Sequence, residues 1–123
     1  MRMRTLAGVL TTAFLAVATL AFAQDKFGVA VYPGAKPDTA TSDAVKKMMN
    51  SEAECYRTTD SLDKVMAFYK KQSNLAAKGT TADGGMFQRK DDPKVSLTVQ
   101  SPWMDMTTGK MVKDTLITIV KQQ

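Results

Sequence analysis

The 123-residue chain contains no histidine and a single cysteine, Cys55. Without histidine it lacks the one side chain whose unperturbed pKa lies near neutrality, and with it the usual general base, triad member and imidazole ligand for zinc or copper. Most hydrolase mechanisms are thereby disfavoured. One cysteine excludes an intramolecular disulfide, a CxxC redox pair and a thiolate-rich metal cage. Aromatic residues are scarce, at 7%, and the lysines are interspersed with acids. Neither the stacking platform nor the basic stripe of a nucleic-acid-binding protein is present.

What is present begins with an export signal. Arg2 and Arg4 precede an apolar run, residues 6–20, and Ala21-Phe22-Ala23 closes it with the small residues that a signal peptidase accepts. Residues 1–23 are therefore expected to be a signal peptide cleaved after Ala23, with the mature chain periplasmic or secreted. The alternative is an uncleaved anchor over residues 6–23. That stretch has 18 residues, near the lower limit for a spanning helix, and is weakened by Gly8 and three threonines. No cysteine follows the run to carry a lipid, and no stable membrane insertion is expected after cleavage. Loss of Arg2 and Arg4 leaves 15 basic residues against 12 acids, so the mature domain is mildly basic. That charge allows weak attraction to anionic envelope surfaces.

Residues 24–123 read as one small domain, without repeat or linker. An extended segment over 27–32 ends at Pro33-Gly34, a turn signal. Ser42 is expected to cap a short helix to Asn50, with Val45, Met48 and Met49 as its apolar stripe. A strand follows over 53–58, with Ala53 and Cys55 on one face and Tyr56 on the other. Leu62, Val65, Met66 and Tyr69 fall at i, i+3, i+4 and i+7, which predicts a longer amphipathic helix over 61–73. Thr59 or Asp60 can cap it.

Residues 78–85 carry three glycines and two threonines without apolar period and are expected to form a loop. Residues 86–90 and 95–101 flank Asp91-Asp92-Pro93 as a hairpin, with Val95, Leu97 and Val99 alternating. The stretch 103–113 is expected to be irregular. Residues 115–121 form a last strand, apolar toward both faces and therefore central. The sum predicts an α+β fold of two layers: a mainly antiparallel sheet with one long and one short helix packed on it.

Val31-Tyr32-Pro33-Gly34-Ala35 and the later run Asp60-Ser61-Leu62-Asp63-Lys64-Val65-Met66-Ala67-Phe68-Tyr69-Lys70 together resemble small secreted bacterial proteins of unassigned function. In these, a Tyr-Pro-Gly-Ala turn precedes a strand and a helix ending in Phe-Tyr-Lys. The resemblance implies an antiparallel sheet with packed helices and an export address, and it transfers no catalytic residue.

Four groups are candidates for chemistry. Ser61 and Lys64 match S-x-x-K, in which a desolvated lysine activates the serine. The partner motifs S-D-N and K-T-G are missing, which favours a helix-opening Ser61 and an outward Lys64. Met104, Met106 and Met111 cluster near Trp103 and offer soft thioether donors for Cu(I). The competing reading is methionine as packing, since Met48, Met49 and Met66 lie on predicted helix stripes. Cys55 is an odd thiol in an exported chain, either an intermolecular disulfide partner or a buried inert group. Asp91 and Asp92 suit a solvated turn.

The function expected from these residues is a non-catalytic binding module of the cell envelope that needs no cofactor. Its partner would be another envelope protein, a small ligand or a second copy in a homodimer. The expected contact residues are Tyr32, Trp103 and Met104, with the apolar strand 115–121 as a further candidate surface. A Cu(I) site at Met104, Met106 and Met111 is the alternative. A small enzyme using Ser61 and Lys64, or Cys55, is the third reading.

Overall fold

The computed structural model describes residues 25–123. The expected signal peptide, residues 1–23, lies outside them. The chain is α+β, built on a six-stranded sheet in which every neighbouring pair is antiparallel. Its strands are β3 (Lys36–Pro37), β4 (Glu52–Thr58), β5 (Leu75–Thr81), β6 (Gly84–Arg89), β7 (Val95–Gln100) and β10 (Thr115–Lys121), in the order β3-β4-β10-β7-β6-β5. Two ribbons lie apart from it: β1 (Asp25–Lys26) with β2 (Val29–Ala30), and β8 (Trp103–Asp105) with β9 (Lys110–Val112). The helices are α1 (Thr39–Met49) and α2 (Leu62–Lys70).

The central position expected for residues 115–121 is where the chain puts β10, between β4 and β7. Its alternate side chains feed two cores. Ile117 and Ile119 join Val65, Met66 and Tyr69 of α2 and Leu97 of β7 on one face. Leu116 and Val120 join Val45 of α1, Ala53, Cys55 and Trp103 on the other. Fully burying a side chain of this kind contributes about 1.5–3 kcal/mol. The strand is thus core on both faces and offers no free surface, contrary to the expectation that it forms an interface.

Several local expectations are corrected. Residues 78–85 are not a loop: β5 and β6 form a hairpin joined at Ala82-Asp83. Most of β5 is exposed, so it needs no apolar residues and shows no apolar period. The stretch 103–113 is also ordered, as the β8–β9 hairpin. Asp105 closes its turn by accepting from the Thr107 amide at 2.9 Å and hydroxyl at 2.6 Å, and Gly109 takes the left-handed φ of 73°. The extended segment over 27–32 is broken by a turn at Phe27 and Gly28, both at positive φ.

The helices exchange their expected lengths. The first runs 11 residues because Asp38, four positions before Ser42, caps it: Asp38 Oδ1 accepts from the Thr41 amide at 3.1 Å. Ser42 lies inside the helix and is buried. Its Oγ accepts from the Cys55 amide at 2.8 Å, tying α1 to β4. The buried face of α1 is accordingly Thr41, Ser42 and Val45, while Met48 and Met49 are exposed. The second helix is capped by Ser61, whose Oγ accepts from the Lys64 amide at 3.3 Å, and spans 9 residues.

Candidate functional site

The face of the sheet that carries α1 is only half covered. Beyond β10 it continues through Thr98 and Gln100 of β7 and Met86 of β6, where no helix lies among the described residues. The β8–β9 hairpin borders this open half. Trp103 and Val112 are cross-strand partners and pack into the core beside α1. Met104 and Met111, the next pair, occupy the hairpin's opposite face, because side chains alternate along a strand. They border a groove of about 560 Å³ that is also lined by Met86, Thr98 and the edge of Trp103.

Methionine exposure is the outstanding property of this surface. Met86, Met104 and Met111 are 46%, 53% and 57% exposed, and Met48, Met49 and Met106 are exposed as well. Of the methionines among the described residues, Met66 alone is core filler. The packing reading of the others fails because their faces point away from both cores. Met106, expected with Met104 and Met111, sits in the hairpin turn outside the groove. Met86 takes its place, a residue missed in the sequence. Alternation in β6, where Phe87 turns inward, marks Met86 as outward-facing but does not place it beside the hairpin.

A polar node fixes the hairpin wall. Asp114 accepts from Trp103 Nε1 at 2.8 Å and from Arg57 Nε at 2.9 Å, and the Arg57 guanidinium lies 5.1 Å from the Trp103 ring centroid. A second Arg57 nitrogen reaches Asp38, the cap of α1, at 3.4 Å. Helix, sheet and hairpin thus meet at Arg57, beside a cleft lined by Lys36, Asp38 and Asp114. Every buried side-chain nitrogen and oxygen among the described residues has a partner.

Tyr32 has a different place. Its hydroxyl donates to Asp60 Oδ2 at 2.6 Å, and its ring meets Phe68 edge-on at 5.3 Å. That bond pushes its pKa up to about 12. It forms part of a shallow depression with Asp60, Lys64 and Phe68 that shares no lining residue with the groove of Trp103 and Met104. The three expected contact residues are therefore split, with Trp103 and Met104 on the groove and Tyr32 bracing the turn to α2.

The nucleophile candidates are placed as follows. Ser61 Oγ is occupied as the α2 cap, and Lys64 is exposed. Cys55 is fully buried between Ser42 and Thr118, with its Sγ 3.6 Å from the Thr118 hydroxyl. Burial pushes the thiol pKa up, against the opposing effect of those hydroxyls. Among the described residues no three His, Cys, Asp or Glu side chains gather to hold a metal ion. The chain matches no family model, no curated protein and no solved structure.

Proposed function

We propose that the chain is an exported, non-catalytic binding module whose working surface is the methionine-lined groove between the β8–β9 and β5–β6 hairpins. The observation that carries this reading is the exposure of Met86, Met104 and Met111 around one concavity. Thioether side chains are flexible and polarizable, and grouped at a surface they re-pack around differently shaped apolar ligands. The capped Ser61 and the buried Cys55 support a non-catalytic role.

The sheet edges argue for a ligand in the groove over a second copy added by strand pairing. Edge strand β5 carries a bulge at Lys78, between the pairs of Ala77 and Gly79, and the other edge strand, β3, has two residues. Among the described residues no helix is long and apolar enough to cross a membrane.

Affinity capture of the tagged protein from its own cell envelope tests the proposal, run beside a variant carrying Met104→Lys and Met111→Lys. The expected result is a specific partner or ligand retained by the native chain and lost by the variant. Equal capture by both would place the working surface elsewhere.

A further inference from the structure

The groove also has the donor chemistry of a soft-metal site. We propose, resting on the groove as the working surface, that Met86, Met104 and Met111 form a three-thioether site for a soft monovalent cation, Cu(I) in chemical class.

Met104 and Met111 are direct cross-strand partners. Such a pair holds its Cβ atoms about 4.5–5.5 Å apart on one face. Met86 lines the same concavity from β6. Each side chain has three rotatable bonds beyond its strand position, so its sulfur can adjust toward an ion in the shared groove. The strands themselves are held rigidly, the hairpin by Arg57 and Asp114 through Trp103 and β6 by its pairing on both sides. Rigid elements carrying adaptable donors suit a metal site.

The donor set selects the ion. Thioether sulfur is soft and neutral and favours Cu(I), whereas zinc, calcium and magnesium need imidazole, thiolate or several oxygens. The chain has no histidine, and its only cysteine is buried. Asp83 and Lys78 both line the groove, so their charges offset and the selection of the ion rests on the sulfur set. The site differs from the grouping expected from sequence: Met86 enters and Met106 leaves.

The test is anaerobic titration of the purified protein with Cu(I), delivered as its acetonitrile complex against a chromophoric Cu(I) chelator, and followed by methionine methyl NMR. The expected result is one equivalent bound more tightly than micromolar, with the Met86, Met104 and Met111 methyls shifted and those of Met48, Met49 and Met106 unmoved. Thioethers have no proton to lose, so the affinity stays constant from about pH 7 to about pH 5. Met104→Leu and Met111→Leu, exposed and apolar, should each weaken binding by about tenfold or more. Met106→Leu should leave it unchanged.

Binding no tighter than micromolar, or shifts confined to other methionines, would overturn the site. The leucine variants separate this failure from failure of the groove, since they keep an apolar lining that the lysine variant destroys. Lysine-sensitive capture of a partner without Cu(I) binding overturns the metal site alone. Loss of both overturns the groove reading too.

Discussion

Tyr32 and Asp60, 28 residues apart in sequence, are joined by a 2.6 Å hydrogen bond from phenol to carboxylate. The contact gives a physical reason for two segments that stand apart in the chain. Pro33 and Gly34 form a type II turn, closed by the Ala35 amide on the Tyr32 carbonyl at 3.0 Å, with Gly34 at the required positive φ of 84°. That turn presents Tyr32 to Asp60 and Phe68, while the Tyr69 hydroxyl donates to the Ala30 carbonyl at 2.8 Å and accepts from the Tyr32 amide at 3.0 Å. The Tyr-Pro-Gly-Ala turn and the Asp-Ser to Phe-Tyr helix are two halves of one brace.

Tyr32→Phe keeps the ring contact and deletes the phenol. Because Asp60 is half-buried, the expected cost is about 1–2 kcal/mol in urea unfolding. Tyr69→Phe should cost more, about 2–3 kcal/mol, since it orphans a backbone carbonyl and an amide together. Equal, negligible losses would show that the brace is decorative.

Alkaline titration reads the same brace. Tyr32 is held above the ordinary phenol value of 10.0 by its bond to Asp60, and Tyr56 and Tyr69 are raised by burial. A phenol kept neutral by the fold stabilises it below the unfolded value, and that contribution is lost as pH rises through the raised folded values. Phenolate absorbance should therefore lag that of the denatured chain above about pH 10, and stability should fall over the same range. Coincident curves for folded and denatured protein would contradict the buried positions.

Asp114→Asn weakens the tie to Arg57 while leaving the sheet intact. Amide exchange should accelerate in Lys110–Val112 and at Trp103, with protection of β4, β7 and β10 unchanged. Uniform acceleration across the molecule would mean that Asp114 supports the whole fold and not the groove wall.

Gly84→Ala tests the close approach of β6 to β7. A Cβ at this position would overlap the Val99 carbonyl oxygen, which is backbone and cannot step aside. The expected loss is about 2 kcal/mol or more. Gly85→Ala meets chiefly the flexible end of Met66, with the Gly79 carbonyl oxygen at 3.3 Å, and should cost less.

The sequence made the buried half of the sheet legible. In β7 the alternation of Val95, Leu97 and Val99 marks a one-sided strand, and the apolar run of β10 marks one covered on both faces. Edge and ribbon strands were not legible, because a strand exposed on both faces, such as β5, has no core to impose a period. Asp38 caps α1 although it follows Pro37 in what reads as a loop, where the sequence favours Ser42. Half of the groove could be read from Met104 and Met111. Met86 could not, because its nearness depends on β6 lying beside β7 in a sheet order that no local pattern encodes.

Methionine oxidation gives the most direct test of the groove as the working surface, since the six exposed methionines among the described residues report on different places at once. Dilute peroxide is applied to the protein alone and in its own envelope extract, and sulfoxide formation is read residue by residue by mass spectrometry. The extract should protect Met86, Met104 and Met111 while Met48, Met49 and Met106 oxidise as before. Unchanged oxidation at all six, or protection confined to Met48 and Met49, would contradict it.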